Sequence, residues 1–77
     1  MPFYLFLWND LIEQHLHEND VTAEEFESVV CNPQSVDKSN SSDRRIAFGT
    51  VNGRFLACIY DMLDDATVLP VTAYEVE

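Results

Sequence analysis

Hydrophobic positions along the chain change period several times, and each change marks an element. Pro2 to Trp8 is an uninterrupted apolar run through Phe3, Tyr4, Leu5, Phe6 and Leu7, which predicts a buried strand. From Asn9 or Asp10 the pattern turns helical. Leu11, Ile12, His15, Leu16 and Asn19 share one side of a 3.6-residue wheel; Asp10, Glu13, Gln14, His17 and Glu18 share the other. Asp10 and Glu13 have capping-box spacing, and the helix is expected to end near Asn19-Asp20, with His15 in the core and His17 in solvent. A second helix starts at Thr22. Its spacing to Glu25 makes a capping box, and Val21 and Phe26 have the spacing of a hydrophobic staple. Ala23, Phe26, Val29 and Val30 form the apolar stripe, while Glu24, Glu25, Glu27 and Ser28 are expected to face water. Pro33 ends the helix by forcing Asn32 out of the α region.

The second half of the chain reads as strands. Gln34 to Asp43 is polar, with a short strand expected around Ser35-Val36 and then a mobile loop through residues 39–42. Asn52-Gly53 lies between two strand-like runs, Arg45 to Val51 and Arg54 to Tyr60. It predicts a two-residue hairpin turn, since both central positions need positive φ. That loop length fixes the register: Val51 opposite Arg54, Gly49 opposite Leu56, Ala47 opposite Cys58, Arg45 opposite Tyr60. One sheet face then carries Thr50 with Phe55, Phe48 with Ala57, and Ile46 with Ile59, and it is expected to be core. The other presents Arg45, Arg54 and Tyr60 around small residues. Met62 to Ala66 turns the chain, and Thr67 to Tyr74 is a last strand, at an edge or bulged because Pro70 has no N–H to donate. The order β-α-α-(β)-β-β-β predicts a single α+β domain over residues 1–77, with two helices packed on one face of an antiparallel sheet.

Charge narrows the partners. Fourteen acidic residues against four basic ones give a net charge of −10. A nucleic-acid binder ordinarily carries a basic patch, so RNA is disfavoured and charge alone points to a basic protein partner, or to none. Three of the four cations, Arg44, Arg45 and Arg54, leave room for a small positive island. The acidic exposed side of the second helix excludes a groove-reading role. Two cysteines, Cys31 and Cys58, are too few for a disulfide framework, and no signal-peptide pattern precedes them. The apolar start is too short to span a bilayer, so a cytoplasmic protein with reduced thiols and no membrane contact is expected.

Candidate chemistry is sparse. Arg45, Arg54 and Tyr60 on one face offer guanidinium forks for phosphate oxygens and a phenol to donate or relay a proton. The plainer reading makes them solvent-face residues, with Arg45 against Tyr60 as a cross-strand pair. Arg44 opposite Asp61 reads as a terminal ion pair, and Cys58 beside Ala47 as a small buried hydrophobe. His15 and His17 diverge by about 160° on a helix and cannot share a metal ion. Asp10, Glu13 and His17 read as a solvated stripe, and neither metal nor cofactor is expected. There is no Gly-rich phosphate loop, serine-centred triad, paired catalytic acids or Cys-x-x-Cys.

The ordered residues resemble a known family. Trp8-Asn9-Asp10 after a short apolar strand, Val21-Thr22-Ala23-Glu24-Glu25 opening a second helix, and then Asn32-Pro33 resemble the BrnT-like toxins. So do Gly49-Thr50 before Asn52-Gly53-Arg54-Phe55-Leu56, the closing Tyr60, and Val71-Thr72-Ala73, over roughly residues 6 to 75. BrnT belongs to the RelE/ParE-like ribonuclease toxins, each neutralised by a cognate antitoxin. The resemblance implies a β-α-α-β-β-β fold, RNA cleavage with Arg54 assisted by Arg45 and Tyr60, and an antitoxin partner. Those toxins are usually basic. Where they carry Lys-His before Gly-Val, and an arginine in the last strand, this chain has Glu18-Asn19-Asp20-Val21 and Tyr74. Two function classes follow: a divergent toxin-like ribonuclease, or a catalytically inactive acidic binding module on the same scaffold.

Overall fold

A computed structural model describes residues 4–38 and 44–76 of the chain. The expected mobile loop at residues 39–42 lies outside the described residues. The elements are β1 (Leu5–Phe6), α1 (Asp10–Glu18), α2 (Ala23–Cys31), β2 (Ser35–Lys38), β3 (Arg44–Val51), β4 (Arg54–Met62) and β5 (Thr67–Glu75). This is an α+β arrangement of two helices and a five-stranded sheet ordered β1-β5-β4-β3-β2. The sheet is mixed, not wholly antiparallel, because β1 runs parallel to β5 and pairs Leu5 with Thr67 and Phe6 with Val68. The N-terminal apolar run thus yields only a two-residue edge strand among the described residues, with Leu5 exposed. Phe6 and Trp8 turn inward instead. Trp8 packs edge-on to Phe26 at 5.3 Å, and its indole N–H donates to Glu27 Oε2 at 2.7 Å.

Both helices begin on side-chain caps. At α1 the cap is Asn9, whose Oδ1 accepts from the Ile12 N–H at 2.9 Å, so the Asp10/Glu13 box does not form. At α2 the Thr22/Glu25 box is complete in both directions. The hairpin has the expected register over its whole length, from Val51 opposite Arg54 to Arg44 opposite Asp61. Asn52 and Gly53 both take positive φ at its turn, 53° and 77°. β5 is an inner strand, and it accommodates Pro70 at an irregularity opposite Ile59 and Tyr60.

The helices cover the opposite sheet face from the one the alternation suggested. Ala47, Leu56, Cys58 and Ala73 are fully buried beneath Leu16, Phe26, Val29 and Val30. Thr50 and Phe55 are exposed, and Phe48, Ile46 and Ile59 only half-buried, on the uncovered face. The reason is volume. A helix needs a strand surface it can approach closely, and Gly49 supplies one: a Cβ there would lie 3.2 Å from Val29 Cγ1. Bulk would place the aromatic pair in the core, whereas the small residues mark where α2 lies. The irregularity at Pro70 preserves the phase of β5, so Val68, Pro70 and Ala73 all stay beneath the helices.

Candidate functional site

Arg45, Arg54 and Tyr60 do lie on one face, but the helix-covered centre of the sheet separates them into two places. Arg45 and Tyr60 are opposite each other. Arg54 is six residues from Tyr60 along β4, about 20 Å at strand rise, with buried Leu56 and Cys58 between them. The positive island expected from Arg44, Arg45 and Arg54 therefore does not form.

At the turn end, Arg54 is held by two carboxylates. Its Nη1 is 3.5 Å from Glu25 Oε2 and its Nε 3.1 Å from Glu75 Oε1. Glu25 was expected in water and is instead buried, because its capping role draws the carboxylate back over the Thr22 N–H at 3.0 Å. Asn52 Nδ2 also donates to Glu25 Oε2, at 3.2 Å, tying the hairpin turn to the start of α2. The Thr22 backbone bond, with Asn52 and Arg54 adding to it, outweighs burial and holds the Glu25 carboxyl below its ordinary range. In this network Arg54 neutralises acids of its own chain. Arg44 likewise forms the expected pair with Asp61, at 3.1 Å.

At the other end of the face is a hollow of about 490 Å³, lined by Tyr4, Arg45, Tyr60, Met62, Asp64 and Asp65, together with Val36. Arg45 makes no hydrogen bond or ion pair among the described residues. Tyr60 is 6% exposed, and its hydroxyl has no hydrogen-bond partner among the described residues. Burial raises the Tyr60 pKa and Arg45 offsets part of the rise, leaving a neutral phenol as donor at physiological pH. Asp64 is engaged by its own loop. It accepts from the Ala66 and Thr67 N–H groups at 2.8 Å and from the Thr67 hydroxyl at 3.0 Å, and these bonds hold its pKa low. Tyr4, Asp64 and Asp65 did not enter the sequence reading of this site. They reach it through the parallel β1–β5 pairing and the β4–β5 turn, for which the sequence carries no spacing signal.

The uncovered face has its own character. Phe48 and Phe55 stack with ring centroids 6.0 Å apart, and a groove of about 390 Å³ runs beside Ile46, Ile59, Val71 and Thr72, with Asp37, Lys38 and Arg44 at its rim.

His15 is exposed, as is His17. The α1 face that packs on β5 is narrow, with Ile12 and Leu16 buried and Leu11 63% exposed, so the wheel positions flanking those two stay in water. Cys58 is buried as expected, and burial, with the Glu25 charge adding to it, pushes its thiol up to about 12. Cys31 is exposed. Among the described residues no group of three or more metal-ligating side chains converges, and no helix is long and apolar enough to cross a membrane. No family model, curated protein or solved structure matches the chain.

Proposed function

We propose that this chain is a catalytically inactive protein-binding module that takes a basic partner, on a scaffold of the RelE/ParE-like kind that its resemblance to BrnT-like toxins suggests. The observation that carries the reading is the clamping of Arg54 between Glu25 and Glu75, which removes the cation that the resemblance made central to RNA cleavage. In-line attack on phosphate needs cations free to stabilise the developing charge, and a net charge of −10 repels the polyanion before it arrives. The same charge attracts a basic protein, and the uncovered face with Phe48, Phe55, Ile46 and Ile59 supplies apolar anchorage for it. A cognate antitoxin of basic composition fits this description.

The test is binding of a synthetic amphipathic Lys-rich peptide, followed by fluorescence anisotropy. Affinity should fall steeply with salt, and Phe55→Ser should weaken it about tenfold, as loss of a central aromatic anchor does. Retention of full affinity by Phe55→Ser would overturn the docking face. One observation favours the ribonuclease reading: Arg45, without a carboxylate partner among the described residues, shares a hollow with Tyr60. Incubation with labelled RNA decides that point. The binding reading expects no cleavage above a protein-free control, while cleavage abolished by Arg45→Ala would establish the enzyme.

A further inference from the structure

The hollow at the Arg45 end of the sheet has features that docking a basic protein on the opposite face does not use. Its volume of about 490 Å³ is within the range of small-molecule sites. Tyr60 lines this space with its ring buried, and its hydroxyl, which has no partner among the described residues, keeps contact with solvent. In contact with solvent, that hydroxyl can donate to an external acceptor. Arg45 stands opposite it on the ladder as a second donor to the same space, with no hydrogen bond or ion pair among the described residues. Two carboxylates also line the hollow. Asp64 spends its oxygens on Ala66 and Thr67, whereas Asp65 makes no hydrogen bond or ion pair among the described residues. One cation, one anion and one hydroxyl, each unpaired among the described residues, thus line a space bordered by Tyr4 and Met62.

A simple anion would meet Asp65, and a simple cation would meet Arg45. A molecule carrying both charges on neighbouring atoms satisfies the set. We propose that the hollow binds an apolar α-amino acid as its zwitterion, the carboxylate on Arg45 and the Tyr60 hydroxyl, the ammonium on Asp65, and the side chain against Tyr4 and Met62. Guanidinium-to-carboxylate pairing supplies direction, and the aromatic wall favours a flat or branched apolar side chain.

Amide NMR titration of the full chain with L-phenylalanine tests this. Saturable shifts at Arg45, Tyr60 and Met62 are expected by ~10 mM, the range of weak small-ligand affinity. Hydrocinnamate, which lacks the ammonium, and phenethylamine, which lacks the carboxylate, should each bind about tenfold more weakly, the loss expected for one charge-assisted pair. Arg45→Gln and Asp65→Asn should each lose about as much, and Tyr60→Phe several-fold, with melting temperatures unchanged. Absence of saturation would overturn the site. Equal binding of hydrocinnamate would reduce it to an anion site, and equal binding of phenethylamine to a cation site; either result refutes the zwitterion. Unchanged affinity in all three variants would place the ligand elsewhere.

Discussion

Glu25 shows how a single side chain can redirect the use of a scarce charge. It faces inward because the capping bond to the Thr22 N–H fixes its direction, and once there it draws in Asn52 and Arg54. Its pKa is lowered, so its stabilising contribution is fully present above the ordinary carboxylate range and is lost as pH falls through the lowered folded value. Glu25→Gln should therefore cost about 1–3 kcal/mol at neutral pH. In urea unfolding the gap to wild type should stay constant above the ordinary carboxylate range and narrow as pH falls below it. A gap independent of pH would mean that the carboxylate charge does not hold this network. The cysteines give a second check at this scale. An aromatic disulfide reagent should modify exposed Cys31 in the native protein and reach Cys58, buried and pushed up to about 12, only after denaturation. Rapid native modification of both would contradict the packing. At this scale the sequence was informative about caps and misleading about exposure. The Thr22/Glu25 spacing identifies the box, but it does not reveal that the cap turns the carboxylate inward, where it pairs with Arg54.

Among the elements, the hairpin was legible in full because a two-residue Asn-Gly loop leaves one register. Which face the helices cover was not, because period-two alternation states that two faces differ without saying which is inside. Residue volume held the answer: Ala47, Gly49 and Cys58 form a shallow surface that α2 can approach, while Phe48 and Phe55 cannot be approached so closely. Gly49→Val should therefore destabilise the fold by about 1–3 kcal/mol through overpacking against Val29. Combining it with Val29→Ala should recover part of the loss, as a double-mutant cycle on chemical unfolding would register. Additivity of the two changes would mean that they do not touch. The parallel β1–β5 pairing escaped sequence reading for a different reason. A two-residue strand has too few positions to display a period, and its partner lies some sixty residues away along the chain.

At the scale of the whole molecule, the proposed function draws on both charge and apolar surface. On the proposed binding reading, the net charge of −10 sets the long-range attraction for a basic partner and the sheet face left uncovered by the helices offers the short-range contact. Composition alone pointed to the first. The second follows only from the helices lying on the Ala47 face. The candidate trio was half legible: the register correctly opposes Arg45 to Tyr60, but the length of the strands separates Arg54 from both, and its acidic neighbours come from α2 and β5. The most direct measurement is amide chemical-shift mapping of the chain during titration with the amphipathic Lys-rich peptide. The expected result is a contiguous set of shifts at Ile46, Phe48, Phe55 and Ile59, with α1, α2 and the Arg45–Tyr60 hollow unmoved. Shifts concentrated on the helices, with Phe48 and Phe55 silent, would contradict the proposal that the uncovered sheet face is where this protein meets its partner.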